Sequence, residues 1–244
     1  MNSYAGVITI VRFNWPWYAI AMLSTAIGII VLGQWAPAQP WWALAAVGLG
    51  VGNTWFLLSL LVSHHIYDRS AIASGGWLRV DDAANVVILH AGHDEASAHI
   101  ARLLPGATRW AFDFLDSADR MSASLRRARA QATTAASAVP LDRIPLPDAC
   151  ADLAVVIFAA HEIREEAARS RFFREVARII GRRGRAVVVE HQRDAWNLLA
   201  YGPGCFHFLS RATWMRTFSQ AGLQVARDDA LTPWVHRFEL RTTA

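Results

Sequence analysis

The sequence contains no lysine and only two cysteines, Cys150 and Cys205, among its 244 residues. Two cysteines cannot build a disulfide framework, and their spacing suits no zinc knuckle, so both of those fold classes are excluded. All 24 basic residues are therefore arginines, and against 20 acidic residues they leave a net charge of only +4. This mild excess predicts no nucleic-acid partner. The mean hydropathy of +0.21 is too high for a disordered chain.

Charge is missing altogether from one long segment, because no Asp, Glu or Arg occurs from Phe13 to Tyr67. Two apolar runs lie inside it, at about residues 15–35 and 41–63. At about 1.5 Å per residue, a helix of that length crosses a hydrocarbon core of about 30 Å. The ends of the runs carry the aromatic residues that are typical of membrane interfaces, Trp15, Trp17, Tyr18, Trp35, Trp41 and Trp42. We therefore predict that residues 1–66 form an anchor of two transmembrane helices.

The arginines around this segment predict its orientation. Arg12, Arg69 and Arg79 flank the pair of runs on one side, whereas the connection at 34–40 carries no charge. The positive-inside rule then predicts a multi-pass protein of the cytoplasmic membrane with both termini in the cytoplasm. An alternative stays open, because Arg12, the first run and Ala36-Pro37-Ala38 also resemble a signal peptide with its cleavage site. The second run would anchor the protein in either case.

A different pattern follows a short linker at 67–77. From residue 78 to residue 244, short runs that are apolar on both faces alternate with helical stretches, which is typical of a parallel sheet covered on both sides. The predicted strands are Asn85–His90, Arg109–Phe114, Asp152–Ala160, Arg185–Glu190, Leu223–Arg227 and Trp234–Leu240. The predicted helices between them are Glu95–Leu104, Ser117–Ala132 and Glu165–Ile180. The last two strands have no helix between them, so we predict a Rossmann-like α/β domain at 78–244 that ends in a hairpin.

Polar residues gather where the predicted parallel strands end. The first strand leads into His90-Ala91-Gly92-His93-Asp94, the second ends at Asp113, and the two later strands end in His161-Glu162 and Glu190-His191. Ligands of such sheets bind beyond the carboxyl ends of the strands, and an acid at Asp113 suits both hydroxyls of a ribose. Three strands thus bring histidine to one edge, which favours a functional site over isolated structural histidines.

The order of these elements resembles the class I S-adenosylmethionine-dependent methyltransferases over residues 78–244. The match rests on Val87–Ala96 for the first motif, on Asp113 for the ribose-binding acid, and on Phe172–Arg185 and Ser210–Gly222 for the later helices. More narrowly, four segments are similar to membrane-anchored bacterial methyltransferase-like proteins, namely Tyr67–Ser70, Gly92–Ser97, Ala160–Arg164 and Glu190–Asp194.

This resemblance implies a mostly parallel, seven-stranded Rossmann-like sheet with helices on both faces and a C-terminal antiparallel hairpin. It implies S-adenosylmethionine as the cofactor, with contacts from His90, Gly92, His93, Asp94, Asp113 and Phe114. One departure concerns the glycine-rich turn, where the family has three glycines and this chain keeps only Gly92, with Asp94 and Ala96 at the other two positions. A carboxylate at Asp94 would attract the ammonium group of the cofactor and repel its carboxylate.

Methyl transfer depends mainly on positioning, and a hydroxyl or enol acceptor also needs a general base. We expect His161 to be that base, with His191 as the second choice and Glu162 or Glu190 orienting the ring. The anchor predicts partners in the lipid bilayer, a lipidic or hydrophobic small-molecule acceptor, and small-residue helix faces that are compatible with a homodimer. The segment Tyr201–Leu209 is either a lid that faces the membrane or a loop that plugs the core.

Two other functions remain open from the sequence. The missing glycines favour a degenerate methyltransferase fold that serves as a binding or assembly subunit in the membrane. Alternatively, histidines at the strand ends form a zinc or iron site for a metal-dependent enzyme on the same fold. The candidate ligands of that site are His90, His93, Asp94, His161 and His191.

Overall fold

The computed structural model describes residues 4–35, 41–78, 83–114, 124, 126–127, 130 and 137–243. The predicted cleavage site at Ala36-Pro37-Ala38 lies outside the described residues. So does the predicted helix Ser117–Ala132, except at the isolated positions just given.

Two apolar helices open the chain, α1 at Ala5–Trp35 and α2 at Trp42–His64. Both are long and apolar enough to cross a membrane. Helix α1 begins ten residues before the predicted start at about residue 15, so Pro16 lies inside the helix and not in its first turn. The reason is a cap from elsewhere in the chain: the Asp68 carboxylate accepts hydrogen bonds from the backbone N–H groups of Gly6 (2.6 Å) and Val7 (2.9 Å). The local sequence gives no sign of this cap.

The two helices pack against each other in opposite directions. The Tyr18 and Phe56 rings meet edge to face at 5.0 Å, and Thr25 donates to the side-chain oxygen of Asn53 at 3.0 Å. Gly28 packs on Leu49, where an added Cβ would lie 3.0 Å from a leucine methyl group. The hairpin therefore returns the chain to the end at which α1 begins.

The predicted linker at 67–77 is folded and packs into the domain. After α2 the chain makes a π-helical turn at His65–Arg69 and a short helix α3 at Ala71–Ser74. Ile66, Ile72 and Trp77 are buried in the same apolar cluster as the first strand of the sheet. The two apolar helices and the domain thus share one core at this end of the hairpin.

Seven strands form one sheet in the order β3-β2-β1-β4-β5-β7-β6, with β7 antiparallel to both of its neighbours. The strands are β1 Asn85–His90, β2 Thr108–Asp113, β3 Ser137–Ala138, β4 Leu153–Ile157, β5 Arg185–His191, β6 Leu223–Thr232 and β7 Val235–Thr242. The predicted fold class is confirmed. Strand β3 has only two residues, and no apolar run predicts it.

Helices cover both faces of this sheet. They are α4 Ser97–Leu103, α5 Glu166–Ile180, α6 Ala195–Tyr201 and α7 Arg211–Gln220, with 3-10 turns at Ala160–Glu162 and Gly202–His207. Alternate residues of β1 face opposite layers: Val87 and Leu89 pack with the aromatic cluster under α5 and α7, whereas Val86 and Ile88 pack with Trp77. This double burial explains why the strands read as continuous apolar runs.

Two elements are shorter than the sequence predicts, and both changes shape the site. Helix α4 begins at Ser97 and not at Glu95, and Asp94 Oδ1 accepts from the N–H groups of Ala96 (3.0 Å) and Ser97 (2.9 Å) in the turn that precedes it. Strand β4 stops at Ile157 and not at Ala160, because Phe158 has a φ of +48° and turns the chain.

Gly184 lies in the turn before β5, where the backbone segments pack too closely to admit a side chain. A Cβ at this position would overlap the carbonyl oxygens of Ala151 and Ile180, and neither backbone group can move without disturbing β4 or α5. We expect Gly184→Ala to cost about 1–3 kcal/mol and to lower the melting temperature by roughly 3–10 °C. The measurement is thermal unfolding of the detergent-purified chain. Gly106→Ala is the matched control, because no atom lies within 4 Å of its added Cβ; equal melting of the two variants would contradict the packing argument.

Candidate active site

The carboxylate of Glu190, at the end of β5, is the centre of the polar cluster at the sheet edge. Its Oε1 accepts from the backbone N–H groups of Ala159 (3.1 Å), Ala160 (2.9 Å) and His161 (3.3 Å). Its Oε2 lies 2.7 Å from Nδ1 of the His161 ring. Glu190 is fully buried, so one side chain fixes both the loop after β4 and the orientation of the predicted base.

The environment of His161 favours its charged form. Burial lowers the pKa of His161, but the charge and hydrogen bond of Glu190, together with the charge of Glu162, raise it to a net value above the ordinary one. Glu162 Oε1 lies 3.6 Å from Nε2 of the same ring. Although burial raises the pKa of Glu162, its contacts with His207 and His161 lower it overall. The two carboxyl groups therefore favour the charged form of the His161 ring, and the predicted pairing of His161 with Glu162 and Glu190 is present.

His207 belongs to the same cluster, and the sequence analysis missed it. Arg164 donates to Nδ1 of His207 at 2.8 Å, which leaves Nε2–H to donate to Glu162 Oε1 at 3.1 Å. No local pattern indicates this role, because Arg164 and His207 are 43 positions apart.

This cluster also tests the predicted metal site. Among the described residues, the group of potential ligands whose donor atoms lie within 4.8 Å of one another is His161, Glu162 and His207, which is not the predicted set. Nδ1 of His161 is bonded to Glu190, and Nδ1 of His207 faces the Arg164 cation. A cation bound by the Nε2 atoms would leave the His161–Glu190 bond in place, but it would require Nδ1 of His207 to carry a hydrogen facing the Arg164 guanidinium. The Arg164–His207 contact therefore disfavours a metal site here.

His191, the second predicted base, is held in a different environment. Its ring lies between the rings of Phe158 and Phe208, at 5.0 and 4.7 Å. Nδ1 faces two carbonyl oxygens, those of the Asn197 side chain (3.2 Å) and the Trp234 backbone (3.1 Å), and therefore carries the hydrogen. Burial, together with the charge of His161, lowers the pKa of His191 to about 4, so the ring is neutral.

The other ring nitrogen of His191 faces Tyr67. The Tyr67 hydroxyl lies 3.2 Å from Nε2, which accepts its hydrogen because Nδ1 is already protonated. Tyr67, which the sequence analysis did not single out as a site residue, thus stands between His191 and the space above the sheet. Of the segment Tyr201–Leu209, Phe208 fills space against His191 as the plug interpretation predicts, whereas Phe206 is exposed.

The predicted cofactor residues fall into two groups. Gly92 has a φ of +74°, which favours glycine, and its N–H donates to Asp113 Oδ1 at 3.2 Å. His90 pairs in register with Asp113, so these three residues meet at the ends of β1 and β2. Phe114, in contrast, packs on Phe172 at 4.6 Å in the core, and the structure does not bring it to the cavity described next. Its role as a cofactor contact stays a prediction.

A cavity of about 340 Å³ lies above the ends of β1 and β4. The sheet side contributes His93, Glu95, Phe158 and Glu162 to its lining. The opposite wall is the first part of α1, between residues 5 and 14, where Phe13 meets the His93 ring at 5.4 Å. A pocket of this size, lined by apolar and polar side chains together, is typical of a small-molecule site.

Glu95 is the polar group of this cavity that the sequence analysis missed. Because α4 begins only at Ser97, Glu95 lies in the turn before the helix, and it lines the cavity. Burial, reinforced by the negative charges of Glu190 and Asp94, raises the pKa of Glu95 to about 8. Such a group gains most from a cationic ligand, since a positive charge nearby would stabilise its carboxylate.

The Glu190–His161 pair predicts a specific pH dependence. Because the pKa of His161 is raised in the folded state, the stability that the pair contributes is complete below about pH 6.5 and is lost as the pH rises through the folded pKa. In Glu190→Gln, burial remains and the opposing charge is gone, so we expect the pKa of His161 to fall below 6.5. The measurement is a histidine-selective ¹⁵N NMR titration of the detergent-purified chain, with His161→Gln for assignment. An unchanged His161 titration in Glu190→Gln would refute the assignment, and His191 serves as the internal reference that stays neutral above pH 6.

Comparison with known proteins agrees with this geometry. Residues 94–188 match a family model described as a methyltransferase domain. A S-adenosylmethionine-dependent methyltransferase from Aquifex aeolicus has a similar structure, with a TM-score of 0.56 and 13% identity over 78% of this chain and 98% of the other. Mitomycin 7-O-methyltransferase MmcR gives a TM-score of 0.55 and 16% identity, over 100% of this chain and 74% of its own.

A third similar structure is the O-methyltransferase NcsB1 of neocarzinostatin biosynthesis, in complex with S-adenosylmethionine and 2-hydroxy-5-methyl naphthoic acid. Its TM-score is 0.50 with 19% identity, over 91% of this chain and 70% of the other. Comparison with curated protein sequences gives no match. The predicted family resemblance is confirmed, and with it the enzyme class and the cofactor at the level of the family. Residues 94–188 therefore match the methyltransferase domain family, and the fold around them is similar to that of the class I S-adenosylmethionine-dependent methyltransferases.

Proposed function

We propose that this protein is a membrane-anchored S-adenosylmethionine-dependent methyltransferase that acts on a lipidic or otherwise hydrophobic acceptor. One observation carries the proposal: the cavity at the catalytic edge of the sheet has the first turns of α1 as its opposite wall. The same helix continues as an apolar segment long enough to cross a membrane. An acceptor dissolved in the bilayer would therefore reach the cavity along the helix that anchors the protein.

The course of the two helices supports the predicted orientation. Helix α1 begins against Asp68, and α2 ends four residues before Asp68, so both helices meet the domain at the same end of the hairpin. A membrane crossed by both helices would leave the domain and the N-terminus on one side. Arg12 is exposed and Arg69 follows α2 at this end, and arginines next to a membrane span favour the cytoplasmic side.

The residues at the edge of the sheet fit the cofactor. Asp113 is a buried acid at the end of β2, as a ribose-binding residue requires, and it already supports the Gly92 turn. Glu95 and Asp94 provide carboxyl groups suited to the ammonium group of the methionine part. S-adenosylmethionine supplies an electrophilic methyl group when bound.

His161 is our candidate base for a hydroxyl acceptor, and its Nε2 lies behind Glu162, which lines the cavity. In its neutral form, Nδ1–H donates to Glu190, and Nε2 is the nitrogen that takes the acceptor proton. Glu190 and Glu162 then stabilise the imidazolium, which is the electrostatic basis of the raised pKa of His161. His191 is neutral, but its Nε2 faces the Tyr67 hydroxyl, so it would act on the cavity only through Tyr67.

The apolar lining supports a hydrophobic acceptor. Ile10 and Phe13 of α1 and Phe158 of the sheet edge give the cavity an apolar surface for such an acceptor, beside polar lining residues such as Asn14 and His93. An apolar wall also keeps water away from the transfer, which strengthens the electrostatic interactions of His161 and Glu95.

One observation favours a second candidate, the degenerate fold that only binds or assembles. Asp94 stands at a glycine position of the family, and its carboxylate already accepts from the N–H groups of Ala96 and Ser97, at the start of α4. A binding subunit of this kind would show no specific affinity for the cofactor. The following titration separates the two candidates.

We expect the detergent-purified full chain to bind S-adenosylmethionine in the micromolar range in a calorimetric titration. Asp113→Ala should weaken binding about 10–100-fold, because charge-assisted hydrogen bonds to the ribose hydroxyls contribute about 1.5–3 kcal/mol. Asp142→Ala, at an exposed position away from the cavity, is the control and should bind like the wild type. Absence of binding at millimolar cofactor would contradict the methyltransferase proposal and favour the degenerate fold.

The raised pKa of Glu95 predicts that cofactor binding releases a proton. At pH 7 a carboxyl group with a pKa of about 8 is mostly protonated, and a cation placed beside it lowers that pKa. We expect up to about one proton to be released per cofactor bound at pH 7, and less above pH 8. The measurement is the binding enthalpy in buffers of different ionisation enthalpy. Glu95→Gln should abolish the release and Glu165→Gln, at an exposed position, should keep it; binding without proton release would exclude this role for Glu95.

A further inference from the structure

Beyond the N-terminal hairpin at residues 4–64, the large apolar side chains that are exposed all lie in one short segment of the described chain. They are Trp196 (57% exposed), Leu198 (43%), Leu199 (58%) and Phe206 (63%), on α6 and the 3-10 turn after it. Single exposed apolar residues are ordinary, whereas several together mark an interaction surface. We call these four side chains the apolar foot.

Hydrogen bonds on the inner side of α6 hold the apolar foot toward the outside of the domain. The Asp194 carboxylate caps α6 by accepting from the Asn197 N–H at 2.8 Å, and the Asn197 side chain donates to the Trp234 carbonyl at 3.0 Å. Asn197 and Ala200 are buried on the inner face of the helix. The rotation of α6 is therefore fixed from inside, and its apolar residues face away from the domain.

The apolar foot is continuous with the apolar surface of α2. The Trp55 indole N–H donates to the Leu199 carbonyl at 2.6 Å, so α6 lies directly against the part of α2 that is nearer the domain. Gly202, with a φ of +55°, follows at once, and an added Cβ there would lie 3.1 Å from the Trp55 ring. This close approach joins the foot to a helix that is proposed to cross the membrane.

Aromatic residues indicate at which level of the proposed membrane the contact between α6 and α2 lies. Tyr18 of α1 meets Phe56, the neighbour of Trp55, and Trp17 beside it is exposed. From Trp17 to Gln34 the helix rises about 27 Å, close to the thickness of a hydrocarbon core. Trp17, Tyr18 and Trp55 therefore lie at the level where aromatic side chains gather at a membrane interface, and α6 lies at the same level.

We propose that the apolar foot inserts into the interface of the same lipid membrane that α1 and α2 cross, on the side of the methyltransferase domain. This inference rests on the proposed anchoring. A short amphipathic helix that buries Trp and Leu among acyl chains is typical of an interfacial contact. Arg193, exposed two residues before α6, is placed to meet lipid phosphate groups.

The contact would also set the position of the candidate site above the membrane. Asn197 of α6 accepts from the His191 ring, and Phe208, two residues after the last member of the foot, stacks on the same ring. Insertion of the apolar foot into lipid would therefore hold the cavity at a constant height above the membrane, next to the lipid layer from which an apolar acceptor enters.

The test measures the depth of single fluorescent labels in the full chain. In a Cys150→Ala, Cys205→Ala background, Leu199→Cys and Phe206→Cys are labelled with a nitrobenzoxadiazole probe and reconstituted into phosphatidylcholine–phosphatidylglycerol vesicles. Met22→Cys on α1, which is 74% exposed, reports on the anchor, and Gln224→Cys on the exposed edge of β6 reports on water. Cofactor titration and melting temperature of each labelled chain verify that it is folded.

We expect labels at positions 199 and 206 to be quenched by lipids that carry a spin label near the headgroup, and to resist aqueous dithionite. One contrary outcome is that the labels at 199 and 206 react with dithionite as fast as the label at 224, while the label at 22 is quenched by lipid. This result would contradict the lipid contact of the apolar foot and would still support the membrane anchor. Protection from both quenchers would indicate a protein contact, such as a second copy, and would also overturn it. A label at 22 that escapes lipid quenching would refute the anchor and the foot together.

Discussion

The candidate site depends on one buried carboxylate, that of Glu190. An unpaired carboxylate without solvent would cost several kcal/mol, and here three backbone N–H groups and the His161 ring compensate for that cost. The same bonds force β4 to end at Ile157, because the next residues must turn their N–H groups toward Glu190. Phe158 adopts a left-handed conformation at this turn, which costs about 1–2 kcal/mol and places its ring over His191. The burial of Glu190, the strained backbone at Phe158 and the positions of the two histidine rings therefore depend on one another.

A second carboxylate, that of Asp68, joins the apolar helices to this arrangement. It bonds the first turn of α1 and lies 2.9 Å from Nδ1 of His64, at the end of α2. Gly6 then lies so close to Tyr67 that a side chain at this position would collide with it, and Tyr67 in turn bonds His191. The start of α1 is therefore connected to the sheet edge through consecutive contacts. For this reason the cavity has a wall made by an apolar helix, although the domain alone would leave the edge open.

The sequence predicts the parts of this structure that depend on pattern and chain order. Continuous apolar runs predict β1, β4 and β5, and the rule that parallel strands end at one edge brings His161, Glu190 and Asp113 together. The sequence does not predict that His207 and Tyr67 belong to the site, because their partners lie 43 and 124 positions away and no local pattern encodes such contacts. The early start of α1 escapes prediction for the same reason, since its cap is Asp68. Phe114 was expected at the cofactor because it follows Asp113, yet it packs with Phe112 in the same aromatic layer of the core.

The charges around the cavity explain why a cation suits it. The protein is arginine-rich overall, yet Glu95 and Glu162 line the cavity, with Asp94 and Glu190 next to it. His161 balances Glu190 and Glu162, but no cation is bonded to Glu95 in the part of the chain that the structure describes, and its carboxyl group keeps its proton up to a pKa of about 8. A sulfonium or ammonium group beside Glu95 would stabilise the carboxylate by the interaction that replaces its lost hydration. The carboxylates would also hold a cationic sulfonium more strongly than the neutral thioether that remains after methyl transfer, so the charge distribution that favours binding also favours release of the spent cofactor.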